Sequence, residues 1–144
     1  VILQSSSVQV QRCSETLPPL DSDFGILAQD FDAGVAPNAA GLRADARATQ
    51  QTCGAASVKI ARIPIPSALR RVAALRRLVV QLVQMTQDFR AAGGHLGVVA
   101  DDYDQGTLGT VQAEYSAALA AWNGAGAHAR DAGVALTVLR QEGF

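Results

Sequence analysis

The stretch PSALRRVAALRRLVVQLVQMTQDFRAA, residues 66–92, decides the fold. Within it Leu69, Val72, Leu75, Val79, Leu82, Val83, Thr86 and Phe89 recur at three- and four-residue steps, the period of an α-helix. On a helical wheel Arg70, Arg77, Gln81, Gln84 and Asp88 form one narrow polar strip, which places Leu82 on the apolar arc and Gln81 in solvent. Leu78, Val80 and Met85 widen the apolar side past half the circumference, so this helix is expected to pack against neighbours on two or three sides, at the centre of a bundle.

Working outward, Pro64 and Pro66 separate this helix from the one before it, because proline removes a backbone donor and restricts the residue preceding it. Ser67 is expected to cap the central helix. The preceding pattern, Leu42, Ala46, Thr49, Cys53, Ala56 and Ile60, predicts a helix from about Ala39 to Arg62. Before it, Leu20, Phe24, Leu27, Ala28 and Phe31 mark one face of a shorter helix, with Asp21, Ser22 or Asp23 as its N-cap and a stop over Gly34–Asn38. Residues 1–19 read as an irregular N-terminal segment, since Pro18-Pro19 cannot lie in a helix interior and Val8–Gln11 alternates apolar and polar in the manner of an extended strand.

On the C-terminal side Gly93-Gly94 is read as the end of the central helix. Leu108, Val111, Tyr115, Ala118, Leu119 and Trp122 then define a fourth main helix, continued by His128, Ala132, Leu136 and Leu139, either straight or as a bent fifth segment beyond Asn123-Gly124. Short connections favour antiparallel neighbours. The expected fold is therefore all-α, a single domain over residues 1–144 forming an up-down antiparallel bundle of four main helices.

A chain of 144 residues, 49% hydrophobic but only 5% aromatic, is long enough to bury a core made largely of small groups. Twelve basic residues stand against thirteen acidic ones, which leaves no electrostatic case for a nucleic-acid partner. No run is apolar for the eighteen or so residues that a membrane-spanning helix requires. Lys59 is the only lysine, and the preference for Arg with Ala, Gly and Val has the look of high-GC, actinobacteria-like coding. The opening VILQSSS reads either as the tail of a removed export signal or as an arbitrary boundary of the chain.

Cys13 and Cys53 are the only cysteines and allow one bridge. Cys53 lies on the inward face of its helix, whereas Cys13 sits in a polar segment where burial has no purpose without a partner. A Cys13–Cys53 disulfide is thus expected, closing a loop of about forty residues worth roughly 4 kcal/mol by chain entropy. It implies a secreted or otherwise extracytoplasmic, oxidising location.

Candidate chemistry is sparse. Asp101-Asp102-Tyr103-Asp104-Gln105-Gly106 has three carboxylates before a glycine, but no glutamate falls at the twelfth position of a calcium loop; the run reads as a favourable acidic turn before the fourth helix. His95 and His128 lack metal-ligand neighbours, and no Cys-x-x-Cys-His motif accompanies them or Met85 to support haem. Hydrolase elbows and phosphate-cradling loops are missing from the pattern. No catalytic residue, metal or cofactor is therefore assigned. Arg70, Arg71, Arg76 and Arg77 form two basic pairs, of which Arg71 and Arg76 flank the polar strip and are candidates for contact with a partner.

Trp122-Asn123-Gly124, between two helical patterns, resembles the Trp-x-Gly turn of the small helical-hairpin substrates of bacterial type VII secretion. The resemblance covers about Tyr103 to Leu139 and implies a hairpin turn there and export. The Tyr-x-x-x-Asp/Glu signal of that family is not matched, because Tyr103 is followed at the fourth position by Thr107 and Tyr115 by Leu119. Read from its own stripe, Trp122 is expected to pack in the core, with a role as an interface anchor as the alternative.

Together these features point to an exported, non-enzymatic helical bundle that acts through a protein partner or as an accessory subunit. The alternative is a bundle that carries an apolar, lipid-like ligand among its many small side chains.

Overall fold

The computed structural model describes residues 1–33 and 38–144. Their α-helices are α1 (Ile2–Ser14), α2 (Leu17–Ala33), α3 (Ala39–Ala61), α4 (Ala73–Gln105) and α5 (Val111–Gln141), with single 3-10 turns at Ser67–Leu69 and Leu108–Thr110. Asn38 caps α3 by accepting the Gly41 N–H on its side chain at 3.2 Å. Gly106, at φ 71°, ends α4 in the left-handed conformation that a residue with a Cβ adopts only at a cost. The expected stop at Gly34–Asn38 falls, except for Asn38, outside the described residues.

Cross-links between neighbours fix the topology. Cys13 meets Cys53 and Asp23 meets Asp45, so α1 and α2 both run against α3. Arg43 reaches Asp101 while Gly93 lies on Ala46 and Gln50, so α4 runs against α3. His95 pairs with Glu114 and Asp88 with His128, so α5 runs against α4. The result is the expected up-down arrangement of four columns, the first of them split into α1 and α2 at Glu15-Thr16.

The inward face of α3 is the one its spacing predicts: Leu42, Ala46, Thr49, Cys53, Ala56 and Ile60 are all buried. One core cluster gathers Leu20, Phe24 and Leu27 of α2 against Leu42 and Ala46 of α3, and against Leu96 and Val99 of α4. A second, at the opposite end, packs Ile2 of α1 with Leu75, Leu78, Ala132, Ala135 and Leu139. Between them lies the disulfide, with Ala56, Leu17 and Phe89 around it.

Several expectations are corrected. Residues 2–14 are helical rather than irregular or extended. Ile2, Ser6 and Cys13 share the buried side, and the inward serine interrupts the apolar period that would have disclosed the helix. Pro18 and Pro19 are accommodated because they occupy the first turn of α2, where the missing N–H groups have no helical acceptor. That turn also begins the helix four residues before the anticipated caps. Ser67 starts a 3-10 turn, and α4 begins only at Ala73.

Gly93-Gly94 does not stop α4. A Cβ on Gly93 would stand 2.7 Å from the backbone oxygen of Ala46 and 2.9 Å from the nitrogen of Gln50, so the glycine lets two helix backbones approach. Gln81 is not a solvent residue: it faces α5 and lies 2.7 Å from the His128 ring. Leu82 is only half-buried, and Leu108 and Leu119, expected on the inner stripe of α5, are exposed. In contrast Thr86, fully buried, satisfies its hydroxyl on the carbonyl oxygens of Leu82 and Val83 at 2.9 Å.

Cys13 and Cys53 are joined, fully buried, with their Cα atoms 4.6 Å apart. Thr49 adds a hydrogen bond to the Thr16 carbonyl oxygen at 3.2 Å, so the α1–α2 break is held to α3 at two points. Thiol titration in denaturant without reductant should find no free thiol, and the double Cys13→Ala/Cys53→Ala variant should lose about 2–4 kcal/mol of stability. Two reactive thiols would contradict the bridge.

The glycines of α4 provide a second test. Gly93→Ala should cost roughly 1–3 kcal/mol by forcing α3 and α4 apart, whereas Gly97→Ala, whose Cβ would meet nothing within 4 Å, should leave stability unchanged or raise it by up to about 1 kcal/mol. Denaturant melts that move both variants equally would show that Gly93 does not set the spacing.

Candidate functional site

A concave apolar surface lies at one end of the bundle, lined by residues of α1, α4 and α5. Leu3 and Val10 of α1, Leu78 and Leu82 of α4, and Ala132 and Leu136 of α5 line a trough of about 390 Å³. That volume is at the small end of the range for ligand pockets. The exposure of Leu82 and Leu136 follows from it: both contribute to the second core cluster on one side and to the trough wall on the other. Ser6, Ser7 and Arg140 supply its polar atoms, and Phe144 stands at one end. Leu3 and Phe144 also border an adjoining groove of about 340 Å³, walled by Ile2, Pro66, Leu69, Leu75 and Leu139.

α1 buries few of its own side chains, namely Ile2, Ser6 and Cys13. It packs chiefly on α3, and the disulfide at its C-terminal end adds a covalent tie to that packing. This helix was missed in the sequence because residues 1–19 read as irregular. The signal available was the spacing of Leu3, Ser7 and Val10, which puts those three on one helical face.

A more polar cleft of about 590 Å³ lies along α3, α4 and α5, lined by Gln50, Gln87, Arg90, Gly94, His95 and Glu114 among others. His95 Nδ1 is 2.7 Å from Glu114 Oε2. A carboxylate that orients an imidazole is half of a general-base arrangement, but the cleft's lining contains no serine, threonine or cysteine to act as a nucleophile. His128 has both ring nitrogens engaged, Nδ1 at 2.7 Å from Gln81 and Nε2 at 3.4 Å from Asp88. Gly124 leaves room for that network, since a Cβ there would come within 2.9 Å of the Asp88 carboxylate. His95 and Met85 lie ten residues apart on α4, about 15 Å along its axis, too far to share one iron. Among the described residues no group of three His, Cys, Asp or Glu side chains could hold a metal ion.

The acidic run is accounted for without a ligand. Asp101 and Asp104 clasp Arg43 of α3. Asp102 turns inward and accepts hydrogen bonds from the hydroxyls of Thr107 and Thr110, tying the end of α4 to the start of α5.

Trp122 sits half-buried between Phe24 and Phe89, with ring centroids at 5.1 and 5.2 Å, and Tyr115 bridges Phe24 to Phe31. The aromatic cluster thereby joins α2, α4 and α5. Trp122-Asn123-Gly124 lies inside the uninterrupted helix α5, so the hairpin turn implied by the type VII resemblance does not form at that place. Arg71, in the segment before α4, and Arg76, on its first turn, are both exposed, and neither forms an ion pair among the described residues. They are not brought together with Trp122, which belongs to the aromatic end of the bundle.

Asp23 and Asp45 face each other across α2 and α3 beside Asn38, Leu27 and Leu42. Burial, then the hydrogen bond and the charge repulsion of Asp45, push the Asp23 carboxyl up to about 7.

Comparison with known proteins adds no assignment: no family model, no curated protein and no solved structure matches this chain.

The Asp23–Asp45 pair makes stability depend on pH in a defined direction. A carboxyl whose folded-state value is raised binds its proton more tightly when folded, so its contribution is complete below the ordinary value near 3.8 and is lost as pH rises through about 7. Asp23→Asn should raise the melting temperature at pH 8 and flatten its fall between pH 4 and 7. An unchanged slope would mean that the pair does not share a proton.

Proposed function

We propose that the chain is a non-enzymatic binding bundle of an extracytoplasmic, oxidising compartment, and that it holds an apolar ligand in the trough between α1, α4 and α5. The observation that carries this reading is the trough itself, where leucines from three helices, with Val10 and Ala132, converge on a concave surface that the chain's own side chains do not fill. The fully buried disulfide supports the compartment, since such bonds persist where the surroundings are oxidising. It also supports the site, because it secures the helix that forms one wall.

A protein partner is the second reading, favoured by the trough's being open along one side. A partner would insert a few side chains, whereas a single alkyl chain fits lengthwise.

Gly133 offers a clean test, because it borders the trough and a Cβ there meets nothing within 4 Å. Gly133→Leu should fill the trough without disturbing its surroundings, and stability should stay level or rise by up to about 1 kcal/mol through better helix propensity. In titration calorimetry 1-dodecanol should bind the original chain and fail to bind this variant. Equal binding to both would place the apolar site elsewhere.

A further inference from the structure

We infer that the occupant of the trough is an anionic single-chain amphiphile, a long-chain carboxylate, whose head group is held by Arg140. This rests on the trough being the binding site and adds to it the class of ligand.

Arg140 is the sole ionisable side chain among the residues that line the trough. It lies in the last turn of α5, is exposed, and pairs with no carboxylate among the described residues. A guanidinium at the rim of an apolar groove can lay its methylene stem on the leucines while its planar fork faces outward, and that fork matches the two oxygens of a carboxylate. The hydroxyls of Ser6 and Ser7 supply further donors on the facing wall of α1.

The geometry also gives the ligand a direction. Arg140 and Ala132 border the same trough eight residues apart on α5, about 12 Å along the helix. Phe144 follows Arg140 by four residues, whereas Val10 and Leu82 lie at the other side of the trough, three residues before Cys13 on α1 and seven before Phe89 on α4, nearer the disulfide. An alkyl chain with its carboxylate at Arg140 would run inward over Leu136, Leu78 and Leu82. A cationic amphiphile would meet the guanidinium with like charge, and a neutral one would leave it without a partner.

The test is calorimetric titration of the full chain at low salt with dodecanoate, 1-dodecanol and dodecyltrimethylammonium, each below its micelle concentration. Dodecanoate should bind about three- to fivefold more tightly than dodecanol, the advantage of one solvent-exposed ion pair, and the ammonium amphiphile should bind most weakly. Arg140→Gln should bring dodecanoate down to the affinity of dodecanol and leave dodecanol unchanged, while Arg140→Lys should retain most of the preference. Circular dichroism should show both variants folded, since Arg140 is a surface residue. If dodecanoate binds no better than dodecanol, or keeps its advantage in Arg140→Gln, the head-group assignment is overturned and the apolar site stands. If none of the three binds, the assignment and the site fall together.

Discussion

The contact of Gly93 with the backbone of α3 sets the dimensions of this protein. With a Cβ excluded by Ala46 and Gln50, α3 and α4 approach until their main chains touch. The chain has few aromatics to span wide gaps, so its core depends on such proximity. From that contact α4 extends in both directions as the shared strut, with α3 on one side and α5 on the other. The aromatic cluster around Trp122 then packs α2 against α4 and α5.

The opposite end is built differently. There α1, packed mainly on α3, has few buried side chains of its own, and the bond at Cys13 adds a covalent tie to that packing. A helix anchored in this way can leave leucines of its neighbours partly uncovered, and the trough is the consequence. An entirely packed first column would bury Leu82 and Leu136 and leave nothing concave.

Most of the ionisable groups that suggested chemistry are spent on joining helices. Arg43 is clasped by Asp101 and Asp104, Asp102 fastens the α4–α5 connection, and His128 lies between Gln81 and Asp88. In a core of small apolar side chains such polar links specify which helix faces which, a task that alanine contacts alone perform poorly. Arg140 differs from these groups in lining a concave apolar surface and in forming no ion pair among the described residues.

The sequence by itself determined the helical class, the antiparallel bundle, the cysteine pair and the whole inward face of α3 from Leu42 to Ile60. These follow from local periodicity, and burial obeys that periodicity wherever the inward positions are apolar. It showed α1 only weakly, through the spacing of Leu3, Ser7 and Val10, because Ser6 stands at an inward position and breaks the apolar pattern. It could not say what Gly93 does, since a glycine that ends a helix and one that admits a neighbour look alike until the neighbour is present. Gln81 was legible only as polar, and its assignment to solvent failed because His128 offers it a partner from another helix. The trough lies beyond local pattern altogether: Leu3, Leu82 and Leu136 are ordinary apolar residues on three separate helices, and only their crossing makes a concave surface with one arginine at its edge.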